Sequence, residues 1–172
     1  MSAKTPGGLL LPDAEALDLV KRAPQPAQGE EPAAKPDGLT VDAGYLSPYF
    51  ITDAGRCVVD LADALVLVTE RTLVKPQELV PILERVVRAD RALLIVASGA
   101  EAEVLAFLVL NKLRGILRVC ASATTNLEPI AHHVGCKVVR VPLERLAIGD
   151  LGVAKHVASG AKSTVIEAAP KR

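Results

Sequence analysis

Residues 91–115, RALLIVASGAEAEVLAFLVLNKLRG, place one strand and one helix in the order an α/β protein needs. Arg91 to Ala97 is an unbroken aliphatic run after its first residue, short enough for a strand and apolar enough to be covered on both faces. Ser98-Gly99-Ala100 breaks it, Glu101 to Arg114 carries helix-forming residues throughout, and Gly115 stands where a helix is expected to end. Going round a helical wheel, Val104 and Leu108 define one side, Leu105, Val109 and Leu113 a second, and Phe107 and Leu110 a third. A helix apolar around nearly its whole circumference is either fully buried or offers a face to a partner. In a domain this small the second alternative is expected.

The same alternation extends in both directions. Upstream, Cys57 to Leu61 and Ala64 to Thr69 read as short strands joined tightly at Ala62-Asp63. Lys75 to Ala89 reads as an amphipathic helix, with Leu79, Val80, Ile82, Leu83, Val86 and Val87 on one arc and Pro81 placed in the first turn or at a kink. Downstream come a strand over Ile116 to Ala121, a helix capped by Asn126 and ending near Gly135, and a strand over Lys137 to Val141. A Leu146 to Val157 segment then leads to a strand over Ser163 to Ala168. Strands and helices alternating through short connections predict an α/β fold with a mostly parallel buried sheet flanked by helices.

Residues 1–37 are different. Six of the twelve prolines lie there, with Ala, Gly, Gln and Glu between them. Leu9 to Arg22 is compatible with a short amphipathic helix, while Gln25 to Asp37 has too little apolar surface to offset the entropy of ordering it. The expected organisation is a flexible Pro/Ala/Glu-rich tail over residues 1–37 and one domain over 38–172.

Composition narrows the function classes. Half of the 172 residues are apolar, yet only two Tyr, two Phe and no Trp are present, so the core has to be aliphatic. Twenty basic and twenty acidic residues cancel, and no basic stripe signals a nucleic-acid surface, so a nucleic-acid partner is not expected. No apolar run is long enough to span a bilayer, and Pro12 and Asp13 interrupt Leu9-Leu10-Leu11 where a signal peptide would continue. The odd set Cys57, Cys120 and Cys136, without CxxC spacing, suits a reduced, cytoplasmic setting.

Catalytic and cofactor signatures are missing from the sequence. It contains no Walker A pattern, no G-x-G-x-x-G and no G-x-S-x-G, so neither a phosphate cradle nor a nucleophile elbow is signalled. His132 and His133 lie near Cys136, but adjacent helical side chains point about 100° apart and do not readily share an ion. Glu101 with Glu103, and Glu30 with Glu31, read as solvated charge. No catalytic residue, metal or cofactor is therefore expected. The concentration of aromatics is informative instead, since Tyr45, Tyr49 and Phe50 all fall within Gly44-Tyr45-Leu46-Ser47-Pro48-Tyr49-Phe50.

These segments carry a family likeness. Gly44 to Phe50 resembles the start of the apical domain of group I chaperonins, the GroEL type. The likeness continues in order through Glu78-Leu79-Val80-Pro81-Ile82-Leu83-Glu84, Arg91 to Ala97, Glu103 to Gly115, and Asp150-Leu151-Gly152 with Ala154-Lys155. It covers roughly residues 38 to 168 and implies a chaperonin apical-domain-like fold. In that family two helices and a nearby extended segment form an apolar groove for unfolded polypeptides and for the co-chaperonin.

The resemblance implies polypeptide-binding positions at Tyr45, Tyr49 and Phe50, at Val80 and Leu83, and at Leu105, Val109 and Leu110, with Leu105 and Val109 facing solvent. Glu84, Asn111 and Arg114 are implied as polar flanks. It implies no ATPase, because the family's equatorial and hinge domains have no counterpart in this sequence. The Ser122 to Asn126 segment is shorter than the family's, and the closing helices beyond Val165 are missing, which leaves a base open to self-association or docking. The function implied is ATP-independent holding of exposed apolar segments. The alternative is an adaptor for one partner, such as a full-length chaperonin or a co-chaperonin.

Overall fold

A computed structural model describes residues 4–23 and 31–169. Its centre is β2 (Val59–Val68), flanked in parallel by β4 (Ala92–Ala97), which in turn pairs in parallel with β6 (Val119–Ala123). All six residues of β4 are buried, as its aliphatic run requires. The connections are α2 (Val80–Arg88) between β2 and β4, and α3 (Ala102–Leu113) between β4 and β6. Both crossovers step in the same direction across the sheet, so their common handedness puts α2 and α3 on one face. Two-residue strands β3 (Thr72–Leu73) and β5 (Gly99–Ala100) pair beyond the ends of β2 and β4 and fix where the helices begin.

The other half of the sheet is antiparallel. β7 (Gly152–Ser159) pairs with β2, β8 (Thr164–Ala168) with β7, and β1 (Gly38–Val41) with β8. The full order is β1-β8-β7-β2-β4-β6. The α/β class is as expected, but the sheet is mixed, with parallel pairing confined to β2, β4 and β6. The reason lies between β7 and β8: Gly160 to Ser163 closes a tight turn, with the Gly160 N–H donating to the Ser163 carbonyl at 2.8 Å. A connection that short permits only an antiparallel neighbour.

Several local expectations change. The two strands proposed around Ala62-Asp63 are one strand, in which Asp63 takes a positive φ of 50° without reversing the chain. Asp tolerates that conformation better than most residues. Lys137 to Val141 forms only a bridge, Thr69 to Val139, because β4 and β7 already flank most of β2. Asn126 does not cap α4 (Glu128–Val134), whose flanking residue is Leu127, although Gly135 does end it at φ 77°. The helix over Lys75 to Ala89 divides into a 3-10 turn, Pro76–Glu78, and α2, with Pro81 in its first turn, where the missing N–H costs nothing.

Residues 4–23 hold packed structure of their own. Residues 4–10 fold back on themselves through a Lys4–Leu10 bridge, with Gly8 at φ 93° in the turn. α1 (Ala14–Lys21) follows, its N-terminus capped by the Asp13 carboxylate, which accepts from the Ala16 N–H at 2.9 Å. This helix lies against α3. Leu9 has no exposed surface and belongs to the main core.

Candidate functional site

The Gly44 to Phe50 segment is fixed to the sheet before it reaches α3. The Tyr45 N–H donates to the Gly160 carbonyl at 3.0 Å and the Leu46 N–H to the Ala121 carbonyl at 2.8 Å. Gly44 itself sits where any Cβ would collide with the backbone of Gly160 and Ala161. The Ser47 hydroxyl then accepts from the Tyr49 N–H, starting a 3-10 turn over Pro48–Phe50. Phe50 has no exposed surface and Tyr45 is buried, its hydroxyl donating to the Cys57 carbonyl at 3.4 Å. Burial pushes the Tyr45 phenol above its ordinary range. Tyr49 alone of the three aromatics is half-buried.

Lys112 anchors α3 to this turn by donating from Nζ to the Ile51 carbonyl at 2.9 Å. Partial burial lowers its pKa.

Among the apolar positions on α2 and α3, Leu83 and Val109 are fully buried, while Val80, Leu105 and Leu110 are half-buried. The expectation that Val109 faces solvent fails, since it is only 1% exposed. The reason is the chain's own N-terminal segment. Ala16 and Leu19 of α1 line a cavity of about 440 Å³ together with Val109, Leu110, Leu113 and Arg114. The helix, apolar around nearly its whole circumference, thus resolves as one side on the sheet and another under residues 4–23.

The polar positions divide in the same way. Asn111 has no exposed surface, and its side-chain amide meets one backbone position of the N-terminal segment from both directions. Oδ1 accepts from the Leu10 N–H at 2.8 Å, and Nδ2 donates to the Leu10 carbonyl at 2.9 Å. Nδ2 also donates to the Phe107 carbonyl at 2.8 Å, so the amide is held by its own helix. Glu84 on α2 borders the same segment, because a Cβ on Gly7 would collide with its side chain. Glu84 also pairs with Arg88 at 3.8 Å, whereas Arg114 is exposed.

Residues 4–23 therefore touch both helices, α2 through Gly7 and α3 through Leu10 and α1. Leu9, Leu10, Ala16 and Leu19 were not singled out from sequence. The available signal was Leu9-Leu10-Leu11 after two glycines, an apolar tripeptide in an otherwise polar stretch.

Elsewhere, a hollow of about 750 Å³ lies beside Val138, Val139, Leu146 and Asp150. Its Asp150 carboxylate is engaged by the Ala147 N–H at 2.9 Å. Of the histidines near Cys136, His133 bonds through Nε2 to the Ile166 carbonyl oxygen at 2.8 Å. Among the described residues no group of three or more His, Cys, Asp or Glu side chains is placed to hold a metal, and no helix is long and apolar enough to cross a membrane.

No family model matches the chain. A curated chaperonin GroEL of Anaplasma phagocytophilum is 41% identical over 145 residues, covering 77% of this chain. The chain is a relative of the GroEL chaperonins. The GroEL of A. phagocytophilum strain HZ gives the same identity over the same length. The chain spans about a quarter of these relatives, 27% and 26% of their lengths, so the kinship is to a fragment of a chaperonin.

The fold agrees with that kinship. The chaperonin gp146 of bacteriophage EL superposes with a TM-score of 0.62 at 17% identity, over 82% of this chain and 31% of its own. A second crystal form of gp146 gives 0.61 at 16% identity.

Proposed function

We propose that this GroEL relative holds apolar segments of other polypeptides, without ATP, in a groove between α2 and α3 beside the Pro48–Phe50 turn. One observation carries the reading: this face already accommodates a polypeptide segment, burying Leu9 and meeting both backbone groups of Leu10 through Asn111. Val80, Leu83, Leu105, Val109 and Leu110 supply the apolar surface, with Tyr49 at the border. Removing apolar surface from water contributes about 25 cal/mol per Å², from which the ordering of both chains is subtracted. The groove's discrimination rests on apolarity and extended backbone, which suits clients of varied sequence.

The test is ATP-free suppression of aggregation of a chemically unfolded reporter protein, comparing wild type with Leu110→Glu. Leu110 is half-buried, so the variant is expected to keep its circular dichroism spectrum while losing suppression. If wild type and Leu19→Asp, which loosens residues 4–23 from this face, both stay folded and neither suppresses, general holding is wrong. A dedicated partner, such as a chaperonin or co-chaperonin, then becomes the reading to pursue.

A further inference from the structure

We propose that residues 4–23 are a built-in ligand of the α2–α3 face, a strap that an incoming polypeptide must displace. Its regulatory consequence rests on the holding function above, but the docking of the strap does not.

Three features distinguish this segment from an ordinary piece of core. Its contacts fall on the positions assigned to client binding: Gly7 against Glu84, Leu10 on Asn111, and α1 over Val109 and Leu110. Asn111 reads Leu10 through backbone atoms alone, so another extended segment presenting an N–H and a carbonyl at that point satisfies the same amide. The strap is also short of internal support. An eight-residue helix is marginal by itself in water, so α1 depends on α3 for its order.

The ligand class follows from what is bound. The Thr5-Pro6-Gly7-Gly8 turn, in which the Gly8 N–H donates to the Thr5 carbonyl at 3.0 Å, brings the chain close to α2. Leu9 enters the core and Leu10 presents its backbone to α3. The groove therefore selects an extended apolar run preceded by small residues. A tethered strap competes as if present at an effective concentration on the order of mM. Clients of ordinary affinity then gain access only when the strap opens, and their apparent affinity falls by the open fraction.

The experiment uses the full chain and a fluorescent peptide copying residues 4–23, with binding read by anisotropy. Leu9→Asp and Leu19→Asp loosen the strap. Leu19 is 38% exposed, so its variant keeps the fold even if Leu9→Asp does not. Amide exchange at Leu9 and Leu10 reports docking in wild type. The expected result is protection of both amides and peptide affinity at least about tenfold higher in the loosened variants.

Equal affinity for wild type and variants, or exchange of both amides at unfolded-chain rates, overturns the strap. A dimer in which each strap lies on the neighbouring copy overturns the single-chain arrangement. Tighter peptide binding in the variants with no effect on reporter aggregation keeps the strap and sinks client holding instead.

Discussion

Asn111 shows how one side chain changes meaning between sequence and structure. In the sequence it is a polar residue near the end of an apolar helix, assigned to a groove's flank; in the fold it is wholly buried and holds both backbone groups of Leu10. Asn111→Leu keeps the branched outline of the side chain but leaves a donor and an acceptor unpaired, which costs about 1–3 kcal/mol. Urea denaturation should show that loss, and an unchanged midpoint would mean water replaces the amide without penalty. Leu9→Ala is expected to cost about 2 kcal/mol, at the low end for a buried leucine. The loss stops at the docking free energy of the strap, because weakening an already undocked segment costs nothing more.

Cys120 gives a third expectation at this scale. Burial pushes its thiol from 9.0 up to about 12. The unfolded chain releases this proton near pH 9 while the folded chain retains it. The contribution is therefore full below pH 9 and is lost as pH rises from 9 towards 12. The slope is at most about 1.4 kcal/mol per pH unit. Chemical denaturation across pH 8 to 11 should show a shallower decline in Cys120→Ala, and identical slopes would show that the thiol does not couple to folding.

At the scale of elements, legibility followed how completely local pattern determines structure. The run from Ala92 through Gly115 was legible because an all-aliphatic hexamer can be little else than a covered strand, and Gly115 at φ 74° ends the helix where a glycine should. β7 was not legible as a strand. Its Gly152–Ser159 sequence mixes exposed and buried positions, and its pairing with β2 brings together residues almost a hundred apart. Lys137 to Val141 shows the converse, a strand-like sequence with little free edge to join. α1 was legible as a helix but not as a packed one, since its few apolar residues matter only through contact with α3. Asp13→Ala removes its N-cap and should weaken the helix by about 1 kcal/mol. Helical protection at Ala16 and Leu17 measured by amide exchange should fall; no change would place the helix's support entirely in its contact with α3.

For the whole molecule the question is whether strap and sheet come apart together. Leu9 lies in the same core as the central strands, which favours one cooperative unit. Against that, the strap reaches the domain through few buried side chains, and the chain between Arg22 and Gly38 carries four prolines and no strong apolar run. Regions with few buried contacts open at lower free energy than the global transition. Native-state amide exchange separates the two cases on one sample. The Leu10 N–H, held by Asn111, should exchange through an opening that denaturant hardly affects, because little surface is exposed. Amides of Leu94 and Ile95 in β4 should exchange only by global unfolding, with the full denaturant dependence. If all three follow the global slope, the strap is part of the core and does not act as a gate. If Leu10 opens alone, the ratio of its exchange rate to the intrinsic rate gives the open fraction. The reciprocal of that fraction should equal the factor by which wild type binds the peptide more weakly than the loosened variants.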